Sequence, residues 1–317
     1  MEYAIRTERL SRMFGQQNAV DHIDLKIHEG QVYGFLGRNG AGKTTTIRML
    51  LGLLRKSQGT IYFYDRELEK NKKSILAKVG AMIEFPGFYT NLTAKENLYI
   101  YQSLLGIQKK KAIEDVMNIV HLNVDEKKAV GKFSLGMKQR LGFARALLHD
   151  PEILILDEPT NGLDPAGIKE IRILMKQLAE DHGKTLFVSS HLLSEVEQIA
   201  HKIGIIHEGK LLEEISLAEI NKRTRRCILC LVNNPEKTAF LLEQKLAITD
   251  YEVYPEGEVH IYQNLDQAAL INRTLVSAGV EVSSIKLSKD NLEDYFLKLT
   301  TGSTNHATTD NATQLQS

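Results

Sequence analysis

Gly37-Arg-Asn-Gly-Ala-Gly-Lys43-Thr44 follows directly on a short apolar run, Gln31-Val-Tyr-Gly-Phe-Leu36, and opens a segment in which Ile47, Leu50, Leu51 and Leu54 recur at helical spacing. The stretch matches G-x-x-x-x-G-K-[ST] and sits between a strand and a helix predicted over Thr45 to Leu54, the context that gives that pattern its meaning. Its glycines let backbone N–H groups turn inward around phosphate oxygens, and the helix presents its positive N-terminal end to them. Gly37, Arg38, Asn39, Gly40, Ala41, Gly42, Lys43, Thr44 and Thr45 are therefore candidate phosphate-binding residues. Lys43 is expected to reach the β- and γ-phosphates and Thr44 to bind Mg²⁺. The loop by itself does not say which nucleotide or which machine.

A second stretch, Glu152-Ile-Leu-Ile-Leu-Asp157-Glu158, completes the site. Four consecutive apolar residues fit a parallel strand buried on both faces, and two carboxylates stand where that strand emerges. In this place Asp157 is suited to holding Mg²⁺ through water, and Glu158 to orienting and polarising a water in line with the γ-phosphate. An Asp-Glu-Pro turn could otherwise be no more than a turn; the phosphate loop upstream makes the pair catalytic candidates.

Composition limits what else the chain can be. Its 317 residues are 43% hydrophobic and 25% charged, enough for one large domain and a smaller one. Forty basic residues balance forty acidic ones, so no positive field favours nucleic acid. The longest apolar stretches, such as Ile153 to Leu156 and Ile228 to Val232, fall far short of the roughly 18 residues that cross a bilayer. The N-terminal residues alternate and carry charge, without the apolar core of a secretory signal, so the expected location is the cytoplasm. The only two cysteines, Cys227 and Cys230, lie three apart in a strand-like run and so point to opposite faces. Without a second pair they read as two buried thiols, not as a zinc or redox site. Three Asn-x-Thr triplets, at Asn91, Asn272 and Asn311, are read as chance.

Lys132-Phe-Ser-Leu-Gly-Met-Lys-Gln-Arg140, which precedes the Asp157-Glu158 pair, resembles the signature motif of ATP-binding cassette (ABC) ATPases. Ser134 is a good N-cap for a helix over Leu135 to His149, and Gly136 lets a phosphate approach that helix end. Phe133, Leu135 and Met137 depart from the common Leu-Ser-Gly-Gly-Gln form, so only Ser134 and Gly136 carry over as nucleotide contacts. Asn161-Gly-Leu-Asp164 resembles the loop that passes between the two cassettes of a dimer, with Asp164 as the matched residue. His191, after a strand over Thr185 to Val188, resembles the switch histidine that contacts the γ-phosphate. Phe14, in Arg12-Met-Phe-Gly15, resembles the aromatic that stacks on adenine, and a plain core residue is the alternative. The resemblance implies ATP and Mg²⁺ as ligands and a site completed only when a second cassette closes over the first. The chain has one such loop and so is expected to form a homodimer that serves a membrane permease on separate chains.

In Val79-Gly-Ala-Met-Ile-Glu84-Phe-Pro-Gly-Phe-Tyr89, Glu84 stands where most of the family carries a glutamine that touches Mg²⁺ and links the site to the membrane subunit. An ionised carboxylate accepts or ligates but cannot donate, so the bonding there differs. This Glu, with Asn91-Leu-Thr-Ala-Lys-Glu-Asn97, resembles the cassettes of bacitracin-resistance and lantibiotic-immunity exporters, over about Ile5 to Leu299. That likeness implies removal of a peptide antibiotic; an export cassette for another cargo, or an ABC ATPase without a permease, are the other readings.

The fold class expected is α/β: a P-loop ABC ATPase domain with a helical subdomain over 1–220, then a small ferredoxin-like α+β domain over 221–300. The latter rests on a predicted βαββαβ order: strands at Cys227 to Val232, Tyr251 to Tyr254, Val259 to Tyr262 and Val282 to Leu287, with helices at Glu236 to Leu246 and Leu265 to Ala278. A family closing helix is expected at Asn291 to Leu299, and a polar, disordered tail over 301–317.

Overall fold

The computed structural model describes residues 3–83, 87–219 and 226–289. Two compact units divide the chain, Met1–Leu217 and Ala218–Ser317.

In the first unit the continuous apolar runs become the centre of a parallel sheet. Its strands β4 (Val32–Leu36), β7 (Val79–Met82), β8 (Ile153–Asp157), β9 (Thr185–Ser190), β10 (Lys202–His207) and β11 (Lys210–Ser216) lie in the order β11-β10-β4-β9-β8-β7, parallel except for the β10–β11 hairpin. Strand β8 shows why no alternation is visible in the sequence: Ile153 and Ile155 pack into one core, Leu154 and Leu156 into another on the opposite face. Each such side chain contributes about 1.5–3 kcal/mol on leaving water.

The first core lies beneath an antiparallel sheet of β1 (Tyr3–Phe14), β2 (Gln17–Ile23), β3 (Lys26–His28), β5 (Gln58–Phe63) and β6 (Arg66–Glu67). Ile5, Phe63, Phe35, Phe187 and Ile47 of helix α1 (Lys43–Leu50) meet there, and α2 (Leu68–Leu76) adds Leu68 and Ile75. On the other face lie α3 (Ala94–Leu104), α4 (Ala112–Ile119), α5 (Leu135–Leu147) and α6 (Pro165–Glu180), whose Leu98, Val116, Phe143 and Leu174 form the second core. A single turn, α7 (Leu193–Val196), follows β9.

Helix α1 ends earlier than the apolar spacing predicts. Gly52, at φ +61°, donates its N–H to the Met49 carbonyl and stops the helix, leaving Leu53 largely exposed. Strand β9 instead runs two residues further than predicted, through Ser189 and Ser190, because both hydroxyls find partners while buried.

The second unit has β12 (Arg226–Val232), α8 (Pro235–Leu246), β13 (Tyr251–Val253), β14 (Glu258–Ile261), α9 (Ala268–Ser277) and β15 (Val282–Lys289). Its sheet order is β13-β14-β12-β15 with every pair antiparallel, the ferredoxin-like arrangement. Ile228, Cys230, Val259, Ile261, Leu242 and Leu275 make its core. The helix predicted over Leu265 to Ala278 begins one turn late, since Leu265–Gln267 is 3₁₀. The segments at 291–299 and 301–317 lie outside the described residues.

Candidate functional site

Parallel strands all end on the same side, so β4, β8 and β9 deliver their C-terminal residues to one place. From β4 comes the glycine loop. Gly37 donates its N–H to the Ser190 carbonyl (3.2 Å), and a Cβ on it would lie 2.6 Å from the Ile206 carbonyl oxygen. Gly42, the residue before α1, has φ +109°, and its Cβ would meet the Ala19 carbonyl oxygen at 2.6 Å, so the loop closes only with glycine there. Arg38, Asn39 and Gly40 are exposed at the loop's crest, Ala41 is buried behind it, and Thr45 is half-buried in the first turn of α1.

Lys43 is 6% exposed yet carries an ammonium, and its partners explain how that is tolerated. Nζ donates to the Gly37 carbonyl (2.6 Å) and lies 3.1 Å from Glu158 Oε1. That last contact is ionic and not a directed hydrogen bond: Oε1 is buried and, among the described residues, accepts none. Glu158 Oε2 lies 2.8 Å from His191 Nδ1. Beside them Thr44 donates to Asp157 Oδ2 (2.8 Å), and Ser189 donates to Asp157 Oδ1 (2.6 Å). Glu158 has a left-handed backbone, φ +48°, a conformation that costs a non-glycine residue about 1–3 kcal/mol and persists where its surroundings impose it.

The predicted residues thus converge in one cluster: Lys43, Thr44, Asp157, Glu158 and His191. Its donors suit a phosphate chain, with amides at a helix N-terminus and one buried cation. A hydroxyl and a carboxylate side by side suit a hard divalent ion. Glu158 Oε1 faces Lys43 and, among the described residues, accepts no hydrogen bond, so the cluster keeps one acceptor position.

Ser134, Gly136 and Asp164 meet elsewhere, around a cavity of about 470 Å³. Ser134 caps α5 by accepting the Met137 N–H (3.3 Å), and Asp164 caps α6 by accepting the Gly167 N–H (3.0 Å). The departures from the common motif have a packing reason: Phe133 is buried in the core and Met137 packs against it. Gln139, on the next turn, is buried and donates to the Pro159 carbonyl, joining α5 to the segment after Glu158.

Phe14 is half-exposed at the end of β1, with the Arg12 guanidinium 4.5 Å from its ring centroid. It pairs with Gln17 of β2, the strand that runs on to Ala19 beside Gly42. Glu84 lies outside the described residues. The loop after it is anchored by Asn97, which accepts from the Tyr89 amide (2.9 Å) and donates to its carbonyl (3.1 Å). Cys227 and Cys230 are buried as expected, and burial, then the neighbouring Cys227, push the Cys230 thiol up to about 12, which keeps it protonated and inert. Ser189, Gln139, Thr160 and Glu195 were not marked by sequence. The sign was there only in part, as two hydroxyls at the end of an otherwise apolar strand.

A model of the ABC transporter family matches residues 20–161. The bacitracin transport ATP-binding protein BcrA of Bacillus licheniformis is 53% identical over 96% of this chain and 99% of the relative. The chain belongs to the ATP-binding subunits of ABC transporters. The BcrA protein of Enterococcus faecalis is 44% identical over 95% of this cassette and 98% of its own length, and the lantibiotic transport protein SrtF of Streptococcus pyogenes 42% identical over 66% and 90%. Among solved structures, an ATP-binding subunit of an ABC transporter superposes with a TM-score of 0.61 at 26% identity, over 69% of this cassette and 92% of that one. Among the described residues of the cassette no helix is long and apolar enough to cross a membrane.

Proposed function

We propose that this cassette hydrolyses ATP to power removal of a peptide antibiotic such as bacitracin or a lantibiotic from the membrane, giving resistance or producer immunity. One observation carries the cargo: the likeness to bacitracin transport subunits runs almost end to end, through the second unit as well as the ATPase. The ATPase domain is read as 1–220, an accessory domain of structural or regulatory role as 221–300, and a tail as 301–317.

In this reading the amides of Gly37 to Thr45 and the Lys43 ammonium hold the phosphates of ATP. Phe14 offers the ring face opposite Arg12 to adenine. Thr44 and Asp157, with Glu84, hold Mg²⁺, which when bound neutralises charge on the β- and γ-phosphates. His191 engages Glu158 Oε2, so Oε1 takes the proton of the attacking water once Lys43 turns to the phosphates. A bond forms from that water's oxygen to the γ-phosphorus and the bond to the bridging oxygen breaks, giving ADP and inorganic phosphate. Ser134, Gly136 and Asp164 of one copy complete the site of the other in a head-to-tail homodimer. The dimer sits on the cytoplasmic face of the membrane, bound to permease subunits on separate chains. Glu84 tunes that coupling more than the chemical step, so Glu84→Gln slows ATP hydrolysis far less than Glu158→Gln.

The test is survival of a sensitive Gram-positive host against bacitracin and several lantibiotics when this chain is expressed with its neighbouring permease genes. Protection that disappears with Glu158→Gln is expected. No protection, with both proteins present and the purified chain hydrolysing ATP, contradicts the cargo.

A further inference from the structure

Ser189 is fully buried at the next-to-last position of β9, directly across from Asp157 of β8. Its single hydroxyl does two things at once. It accepts the backbone N–H of Glu158 (3.0 Å) and donates its own proton to Asp157 Oδ1 (2.6 Å). Asp157 is thereby gripped on both oxygens, by Ser189 on one and Thr44 on the other, which fixes its carboxylate plane. Glu158, one residue on, is held in the left-handed backbone conformation by the same hydroxyl. That turn aims its carboxylate between Lys43 and His191.

We infer that Ser189 is a positioning residue for ATP hydrolysis, whose hydroxyl locks the Asp157 carboxylate and the Glu158 backbone into one rigid pair. The inference rests on the reading of Asp157 and Glu158 as the hydrolytic carboxylates. Both roles require a group that accepts and donates simultaneously, which a hydroxyl does and a methyl cannot. Removing it leaves a part-buried amide and a buried carboxylate oxygen each short of a partner. The side chain carries no charge and its hydrogen bonds go to Asp157 and Glu158, so its loss acts on the chemical step and not on nucleotide capture. Sequence alone cannot mark it, because Ser189 and Asp157 meet only through the register of two strands 32 residues apart in the chain.

The experiment compares the full chain, Ser189→Ala and Glu158→Gln in steady-state ATP hydrolysis with Mg²⁺, and in binding of a fluorescent ATP analogue in EDTA. Ser189→Ala is expected to lower kcat by at least about tenfold with KM for ATP and the affinity in EDTA within about threefold of the unaltered chain. A smaller loss of kcat overturns the inference. So does a fall in EDTA affinity beyond that range, which would make Ser189 a part of the nucleotide pocket or of the fold alone. If Glu158→Gln keeps the full rate, the reading of the site itself fails and this inference with it; if Glu158→Gln is inactive and Ser189→Ala is not, the inference alone fails.

Discussion

The parallel sheet of the first unit and the antiparallel sheet of the second are built from the same Val, Ile and Leu, yet among the described residues the first gathers the candidate chemical site and the second does not. In a parallel sheet every strand ends on the same side, so Asp157 at the end of β8, Glu158 and His191 just past β8 and β9, and Lys43 at the end of the loop that leaves β4 converge. In the β13-β14-β12-β15 sheet successive neighbours end on opposite sides, so no one edge collects all their C-terminal residues. Topology, more than composition, decides which buried strands carry function.

The contrast can be sharpened by damaging each region in turn. Lys43→Ala removes the buried cation of the converging ends and leaves Glu158 without its ionic partner. ATP affinity, read by titration with a fluorescent analogue, is expected to fall at least about thirtyfold, since losing the cation that pairs with the phosphates removes a buried charged contact worth about 2–5 kcal/mol. Ile261→Val, in the core of the second unit, is expected to cost only about 0.5–1.5 kcal/mol of that unit's stability in a denaturant titration, and to leave ATP hydrolysis per folded molecule unchanged. A large loss of hydrolysis from Ile261→Val would break the comparison, by showing that the antiparallel sheet takes part in the chemistry.

Much of the first unit is legible in sequence because its motifs are contiguous. The glycine loop with its strand and helix, and the apolar run closing on Asp157-Glu158, each hold their own context. Ser134 reads as a cap and is one. What is not legible depends on partners far away in the chain. Gln139 meets the Pro159 carbonyl and Thr160 meets Glu195 only after α5, β8 and β9 have packed. The end of α1 is hidden for a local reason: apolar spacing continues through Leu54 because Leu51 and Leu54 still pack, although Gly52 has already turned the chain. In the second unit the order of elements is readable from alternation and turn residues, and the sheet order follows from it. No side-chain motif there announces a task. The likeness to antibiotic transport subunits rests on residues that include Glu84, outside the described part of the chain, and is carried by the relatives.

Release of phosphate from ATP and Mg²⁺ by the purified chain, beside Glu158→Gln, tests most directly the claim that the converging strand ends perform hydrolysis. Glu158→Gln is expected to bind ATP with unchanged affinity and to release phosphate about 10²-fold or more slowly, the typical loss when a positioned general base is removed. Equal rates for the two proteins would contradict that claim.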